Sequence, residues 1–330
     1  MSTGVAPVRP LDAASAAELH RAAARILAEC GTSATSPHLL RRVAESAAAL
    51  PGPARRHLRP ADTDHGLFVL RGLAVDDAAI GPTPASWATA GDRGALHDVV
   101  LLLLATAMGT PLAWEGQQGG RFVHNIVPAP GHEREQTGAS SDVLLSPHTE
   151  DAFHPGRAHL LLLACLRNPD GVATTAASIR RARTPDADVA TLTRPELPIL
   201  PDAAYARARG FAGRPPDVPT LWRSEDGLTL RFDPAYTPLE KAGPAYRAAY
   251  ARLEAELARV SVAVSLNPGE VLVLDNDLVV HGRVPFTARY DGTDRWLKRA
   301  SVRVPGRRTR PPAEAAEHGY GQIAVEAHVR

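Results

Sequence analysis

Of the 13 histidines in this 330-residue chain, His148 alone has an acid two positions on, in Ser146-Pro-His148-Thr-Glu150. On an extended strand, side chains two apart leave the same face, so an imidazole and a carboxylate can converge on one ion. With 36 acids in the chain, about one such pair is expected by chance, so the pair alone decides little. A third ligand is on offer at His281, in Asp275-Asn-Asp-Leu-Val-Val-His281-Gly-Arg283. It follows an apolar run, Val271 to Leu274, and a polar Asn276-Asp277 turn. Two imidazoles and one carboxylate on one face of a metal leave its other positions open, the arrangement of Fe(II) oxygenases. Those positions suit an oxo-acid chelate and then dioxygen. The same donors also suit zinc in a hydrolase or lyase. Each histidine alone could equally be a hydrogen-bonded structural residue.

Arg295 and Arg299 follow His281 and lie four apart, so on a strand they share a face. A guanidinium grips a carboxylate with two parallel hydrogen bonds, which suits the anchoring of a dicarboxylate cosubstrate. A zinc hydrolase has no need of this arginine. A single arginine is most often a solvated surface charge. Two facing inward beside a candidate ligand point to anion binding.

The elements that must position these groups can be read in outline. Residues 11–50 carry Ala16, Leu19, Ala23, Ile26 and Leu27 at three- and four-residue steps, a helical pattern ended by Pro51 and Pro53. Residues 66–71 read as a strand, and 95–108 as a buried helix, apolar on all sides at Leu101 to Leu104. Short β segments follow at 122–127, 160–166, 172–178, 228–232, 270–274 and 299–304, with an alanine-rich helix over 239–259. Residues 201–226 are polar and rich in Pro, Arg and Gly, the composition of an inserted lid, and 305–330 read as a polar surface tail. Helices in front and strands behind predict a single α+β unit over 1–330, mostly helical to residue 110, with a mainly antiparallel core over 111–304.

Composition narrows the partners. Lys+Arg at 37 against Asp+Glu at 36 gives no field to hold a nucleic-acid backbone. Val99 to Met108, the greasiest run, falls far short of the roughly 20 residues that span a bilayer. The N-terminus shows no apolar leader, and two lone cysteines, Cys30 and Cys165, exclude a disulfide-built domain or a thiolate zinc site. These features predict a soluble, cytoplasmic protein with a small-molecule partner.

Three blocks, His148-Thr-Glu-Asp-Ala-Phe-His154, Val172-Ala-Thr-Thr-Ala-Ala-Ser178, and His281-Gly-Arg with Tyr290-Asp-Gly-Thr-Asp-Arg-Trp-Leu-Lys-Arg299, resemble the clavaminate synthase-like family. The likeness runs from about Gln117 to Val304 and is strongest to its free-amino-acid hydroxylases of antibiotic biosynthesis. It implies a distorted double-stranded β-helix (jelly roll) flanked by helices, and oxidative chemistry using Fe(II), 2-oxoglutarate and dioxygen. Position by position it implies His148, Glu150 and His281 as iron ligands. Arg295 would take the distal carboxylate of 2-oxoglutarate with Thr174, or its neighbour Thr175, assisting. Arg299 would hold the substrate α-carboxylate, and Gln117 and Glu150 would contact the amino acid. In the arginine hydroxylases of the family, acids after the lid strand receive the guanidinium; here Asp233 is in place, whereas Ala235 stands where a second acid would be. The resemblance therefore implies hydroxylation of a basic or ureido L-amino acid, arginine first, with lysine and citrulline as alternatives. On the residues alone, Asp233 could instead cap the turn at Pro234.

Overall fold

Leu160 to Leu166 is apolar at nearly every position, the pattern of a strand covered on both faces. In the computed structural model, which describes residues 5–33, 35–60, 65–201 and 216–327, this strand lies mid-way across the larger sheet. In chain order the strands are β1 (Val8–Pro10), β2 (Leu67–Arg71), β3 (Thr110–Trp114), β4 (Val123–Ile126), β5 (Leu145–His148), β6 (Leu160–Arg167) and β7 (Thr174–Ser178). They continue with β8 (Leu221–Ser224), β9 (Gly227–Leu230), β10 (Val262–Val264), β11 (Val271–Asp275), β12 (Val279–Arg283), β13 (Trp296–Arg303) and β14 (Ala324–Glu326). The large sheet runs β1-β2-β11-β6-β13-β3-β14, with β4 also on β13. A second sheet runs β10-β7-β12-β5, and β8 pairs with β9 as a hairpin. Only β1 and β2 pair in parallel, and the sheets do not close into a barrel among the described residues.

Strand alternation sorts the core into two layers. Leu160, Leu162, Val271, Val273, Ala300 and Val302 face the helices Ala13–Cys30, Pro37–Ala48 and Ala95–Met108. Leu161, Leu163, Leu272, Leu274 and Leu297 face the other way, toward the second sheet and the helix Pro244–Val260. Each fully buried leucine contributes roughly 1.5–3 kcal/mol, so the central strands are pinned from both sides. The helix Ala95–Met108 is apolar all round because it packs between two other helices and the sheet. Its one buried acid, Asp98, meets Lys298 Nζ of β13 at 2.7 Å. Lys298 and Arg299 leave β13 on opposite faces, so this pair braces from behind the strand that carries Arg299 and follows Arg295.

The expected helices and most strands are present within a few residues. The surface tail is not. Among residues 305–327, Arg308, Glu314 and Tyr320 are buried, and β14 extends the large sheet by pairing with β3. The segment reads as polar because its charges meet buried charges of opposite sign rather than water. Of the expected lid, 202–215 lie outside the described residues. Its far end is not a polar flap: Val218 bridges to Leu197, and Leu221 and Trp222 are buried in the β8–β9 hairpin. No helix among the described residues is long and apolar enough to cross a membrane.

Candidate metal centre

The register of β12 against β5 sets His281 directly opposite His148. Their rings therefore leave the sheet together, with centroids 4.5 Å apart. Gly282 lets β12 pass between its neighbours, since a Cβ there would run into the Leu145 carbonyl oxygen. Glu150 arrives by a different route from the one its spacing predicts. β5 ends at His148, so strand alternation does not aim Glu150. Thr149 is held by Phe232, whose carbonyl accepts from Thr149 N (2.7 Å) and whose N–H donates to Thr149 Oγ1 (3.1 Å). Asn276 then takes Glu150 on both sides of its backbone: Glu150 N–H donates to Asn276 Oδ1 (2.9 Å), and Asn276 Nδ2 donates to Glu150 O (3.0 Å). Asp151 follows at φ 51°, turning the chain away.

The result is a compact donor set. Glu150 Oε2 lies 3.4 Å from His281 Nε2 and 3.8 Å from His148 Nε2, and the three ligand atoms all fall within 4.8 Å of one another. Glu150 Oε2 is buried and makes no aligned hydrogen bond, an arrangement that a cation between the three would satisfy. His148 Nδ1 sits 2.8 Å from the Ser146 carbonyl, so it donates there and leaves Nε2 facing the centre. Burial opposes charge on His148, but Glu150 and Asp233 outweigh it and hold its pKa up at about 9. Burial and the charge on His148 push His281 down to about 4. Burial likewise opposes the Glu150 carboxylate, yet Arg299 and the imidazoles keep it well below the usual range. Without a metal, the two imidazoles thus share one proton at neutral pH.

Two arginines flank this centre. Arg299 Nη1 pairs with Glu150 Oε1 at 2.5 Å, and its Nη2 lies 3.1 Å from His124 Nδ1 on β4. Burial and the Arg299 charge push His124 down to about 3, so it stays neutral and accepts. Arg295 is buried, and its Nη2 donates to Thr174 Oγ1 at 3.1 Å, so Thr174 and not Thr175 is its partner. Burial and the nearby Arg283 bring Arg295 down to about 10, still a cation at neutral pH. Arg283, opposite Thr174 in the β12–β7 register, spends its fork on Ser140 Oγ (3.0 Å) and on the Ser140 and Val143 carbonyls. Among the described residues neither Arg283 nor Arg295 has a carboxylate within ion-pair distance. Two buried cations side by side make a seat for an anion.

Asp233 is buried just past the Thr149–Phe232 contact, and its charge is felt at His148. It also caps its turn, Oδ1 accepting from Ala235 N at 3.2 Å. Gln117 lies half-buried after β3 and makes no hydrogen bond to the site residues; Gln118 is the one tied down, to the Asn125 backbone. His124 and Asn276 are the residues that sequence reasoning left without a role. The Asn276-Asp277 turn was visible, but nothing local indicates that its amide reaches Glu150.

The profile of the taurine catabolism dioxygenase TauD, TfdA family matches residues 203–301. The enduracididine beta-hydroxylase of Streptomyces hygroscopicus is 38% identical over 275 residues, which cover 76% of this chain and 80% of that protein. The chain belongs to the TauD/TfdA family. As a member it is an Fe(II)/2-oxoglutarate-dependent oxygenase, in keeping with its donor set. The L-ornithine/L-arginine 3-hydroxylase of Catenulispora acidiphila is 33% identical over 260 residues, 72% of this chain and 76% of that one. Among solved structures, the non-haem iron oxygenase OrfP in complex with Fe and alpha-ketoglutaric acid aligns with a TM-score of 0.80 at 37% identity, covering 90% of this chain and 94% of OrfP. A further OrfP structure, with Fe, succinate and (3S)-hydroxy-L-Arg, aligns at 0.81.

Proposed function

We propose that this enzyme hydroxylates an unactivated C–H bond, at C3 or C4, of a free L-amino acid with a basic or ureido side chain, arginine first. The observation that carries this reading is the grouping of a His148–Glu150–His281 donor set with an unpaired cationic seat at Arg295 and a buried carboxylate at Asp233. In this reading the paired sheets are the distorted jelly roll. The relatives' names, for enduracididine, ornithine and arginine hydroxylation, support a cationic substrate side chain.

His148, Glu150 and His281 would hold iron through Nε2, Oε2 and Nε2. Iron and 2-oxoglutarate, with dioxygen, supply the oxidising power for C–H cleavage, and 2-oxoglutarate leaves as succinate and carbon dioxide. The protein's own groups position and neutralise. Arg295 and Thr174 take the distal carboxylate of 2-oxoglutarate, supplying the buried cation with its missing counter-charge. Glu150 divides its two oxygens, Oε2 to the metal and Oε1 to Arg299 and the substrate ammonium. Arg299, fixed by neutral His124, receives the α-carboxylate. Asp233 faces the far, cationic end and sets its distance from the metal; Gln117 closes on the amino acid from the β3 loop. The test is Asp233→Ala assayed with arginine, lysine and citrulline: a loss of turnover largest for the cationic two is expected, and unchanged turnover of all three refutes the assignment.

A further inference from the structure

The turn between β11 and β12 is held from two directions. From the inside, Asn276 grips Glu150 by both backbone groups and reaches the Ala158 carbonyl at 3.1 Å. From the outside, the acids on either side of it are gripped by the C-terminal segment. Asp275 Oδ2 receives Arg307 Nη2 and Arg308 Nη1, each at 2.6 Å. Asp277 Oδ1 receives Arg310 Nη2 at 2.9 Å and Nε at 3.2 Å. Asp275, Asn276 and Asp277 are at most 1% exposed, so these interactions act without solvent screening. The same segment holds a second piece of the site. Arg231, two residues before Asp233, meets Glu317 through Nη1 and Nη2 at 3.1 and 2.9 Å, while its Nε donates to the carbonyl of Ala152, two residues past Glu150.

We infer that Asn276 is the positioning residue for Glu150, and that Arg307, Arg308 and Arg310 act through it, making the C-terminal segment part of the metal centre's framework. Asn276 touches neither metal nor substrate. It fixes the backbone from which the carboxylate is aimed, and the arginines fix Asn276 by holding both of its neighbours. Without them the Asp275 and Asp277 charges would repel one another and relax the turn. His281, four residues beyond Asp277 on β12, would shift with it. The inference rests on reading His148, Glu150 and His281 as a metal site.

Divalent metal affinity of the full-length apo-protein, titrated with Co(II) and read by its visible absorption, tests this without turnover. Asn276→Ala and Arg310→Ala should each weaken Co(II) binding tenfold or more. The double variant should be no weaker than Asn276→Ala alone, because one residue acts through the other. Leu19→Ala, a fully buried site in the N-terminal helix layer, controls for general destabilisation and should leave Co(II) affinity within twofold while lowering Tm. The inference is overturned if the Asn276 and Arg310 variants lose Tm but keep Co(II) affinity within tenfold, or if their effects multiply in the double variant. A wild-type chain that takes up no Co(II) refutes the reading of the triad itself, and this inference with it.

Discussion

Replacing Arg295 by methionine should separate ligand affinity from stability in opposite directions. Arg295 is buried, has Thr174 as its polar partner, lies near a second guanidinium and has no carboxylate at ion-pair distance among the described residues. In the apo-protein it is a poorly compensated charge; replacing even a fully paired buried ion pair by apolar side chains of similar volume is often neutral or stabilising by about 1–4 kcal/mol, so removing this cation should not destabilise the apo-protein. In the proposed role, the same guanidinium would complete a buried charge pair with 2-oxoglutarate, and truncating one partner of such a pair costs about 2–5 kcal/mol. At roughly 1.4 kcal/mol per factor of ten, the variant should bind 2-oxoglutarate about 30-fold to several thousand-fold more weakly. Calorimetric titration of 2-oxoglutarate into the metal-loaded protein gives the first quantity, and thermal unfolding of apo-protein the second. Saturating 2-oxoglutarate should raise the Tm of wild type and leave that of the variant unmoved. A 2-oxoglutarate affinity within threefold of wild type, or an apo Tm several degrees lower, refutes the reasoning.

Metal uptake should release a proton. His148 is held near 9 in the apo-protein, so at pH 7 it must lose its proton to ligate, and divalent-metal affinity should rise with pH up to about 9. Calorimetry in two buffers of different ionisation enthalpy counts the proton; zero release at pH 7 contradicts the assignment. Because that pKa is raised above the ordinary histidine value of 6.5, its contribution to apo stability is full below pH 6.5 and lost as pH climbs through 9, measurable as a falling Tm. His124→Ala should raise the KM for the amino acid about tenfold by freeing Arg299, while His124→Gln, which keeps an acceptor, should recover most of it; equal KM values in both would refute the orienting role. Deleting residues 305–330 strips the buried Asp275 of both its arginines and leaves Asp277 only the longer pair with Arg157 at 3.6 Å, while Arg157 and Arg231 lose Glu314 and Glu317; at about 3–5 kcal/mol per broken buried pair, the truncated chain should show no cooperative unfolding by circular dichroism.

The large elements were legible because each buries an apolar face with its own period: the run of four leucines that opens β6 and the leucine-rich helix Ala95–Met108 could be read directly. The donor set was legible too, though for a reason that proved incomplete. His148 and His281 meet through strand register, as expected of strands, whereas Glu150 reaches them by a turn held from Thr149 and Asn276. What escaped was non-local polar chemistry. Arg307, Arg308, Arg310, Glu314 and Glu317 look like a solvated tail because sequence shows the charges but not their partners, which sit about 30 to 160 residues earlier. β14 was missed for the same reason, since a three-residue strand is defined by its partner β3 rather than by its own pattern.

The most direct test is whether oxygen from dioxygen enters a basic amino acid at the expense of 2-oxoglutarate. Purified protein given Fe(II), 2-oxoglutarate, air and L-arginine, with lysine and citrulline in parallel, should yield a product heavier by one oxygen atom and one succinate per product. Omitting iron, 2-oxoglutarate or dioxygen should abolish both. Succinate without any hydroxylated amino acid would place the substrate outside this class, and turnover that persists without dioxygen would contradict the account at its root.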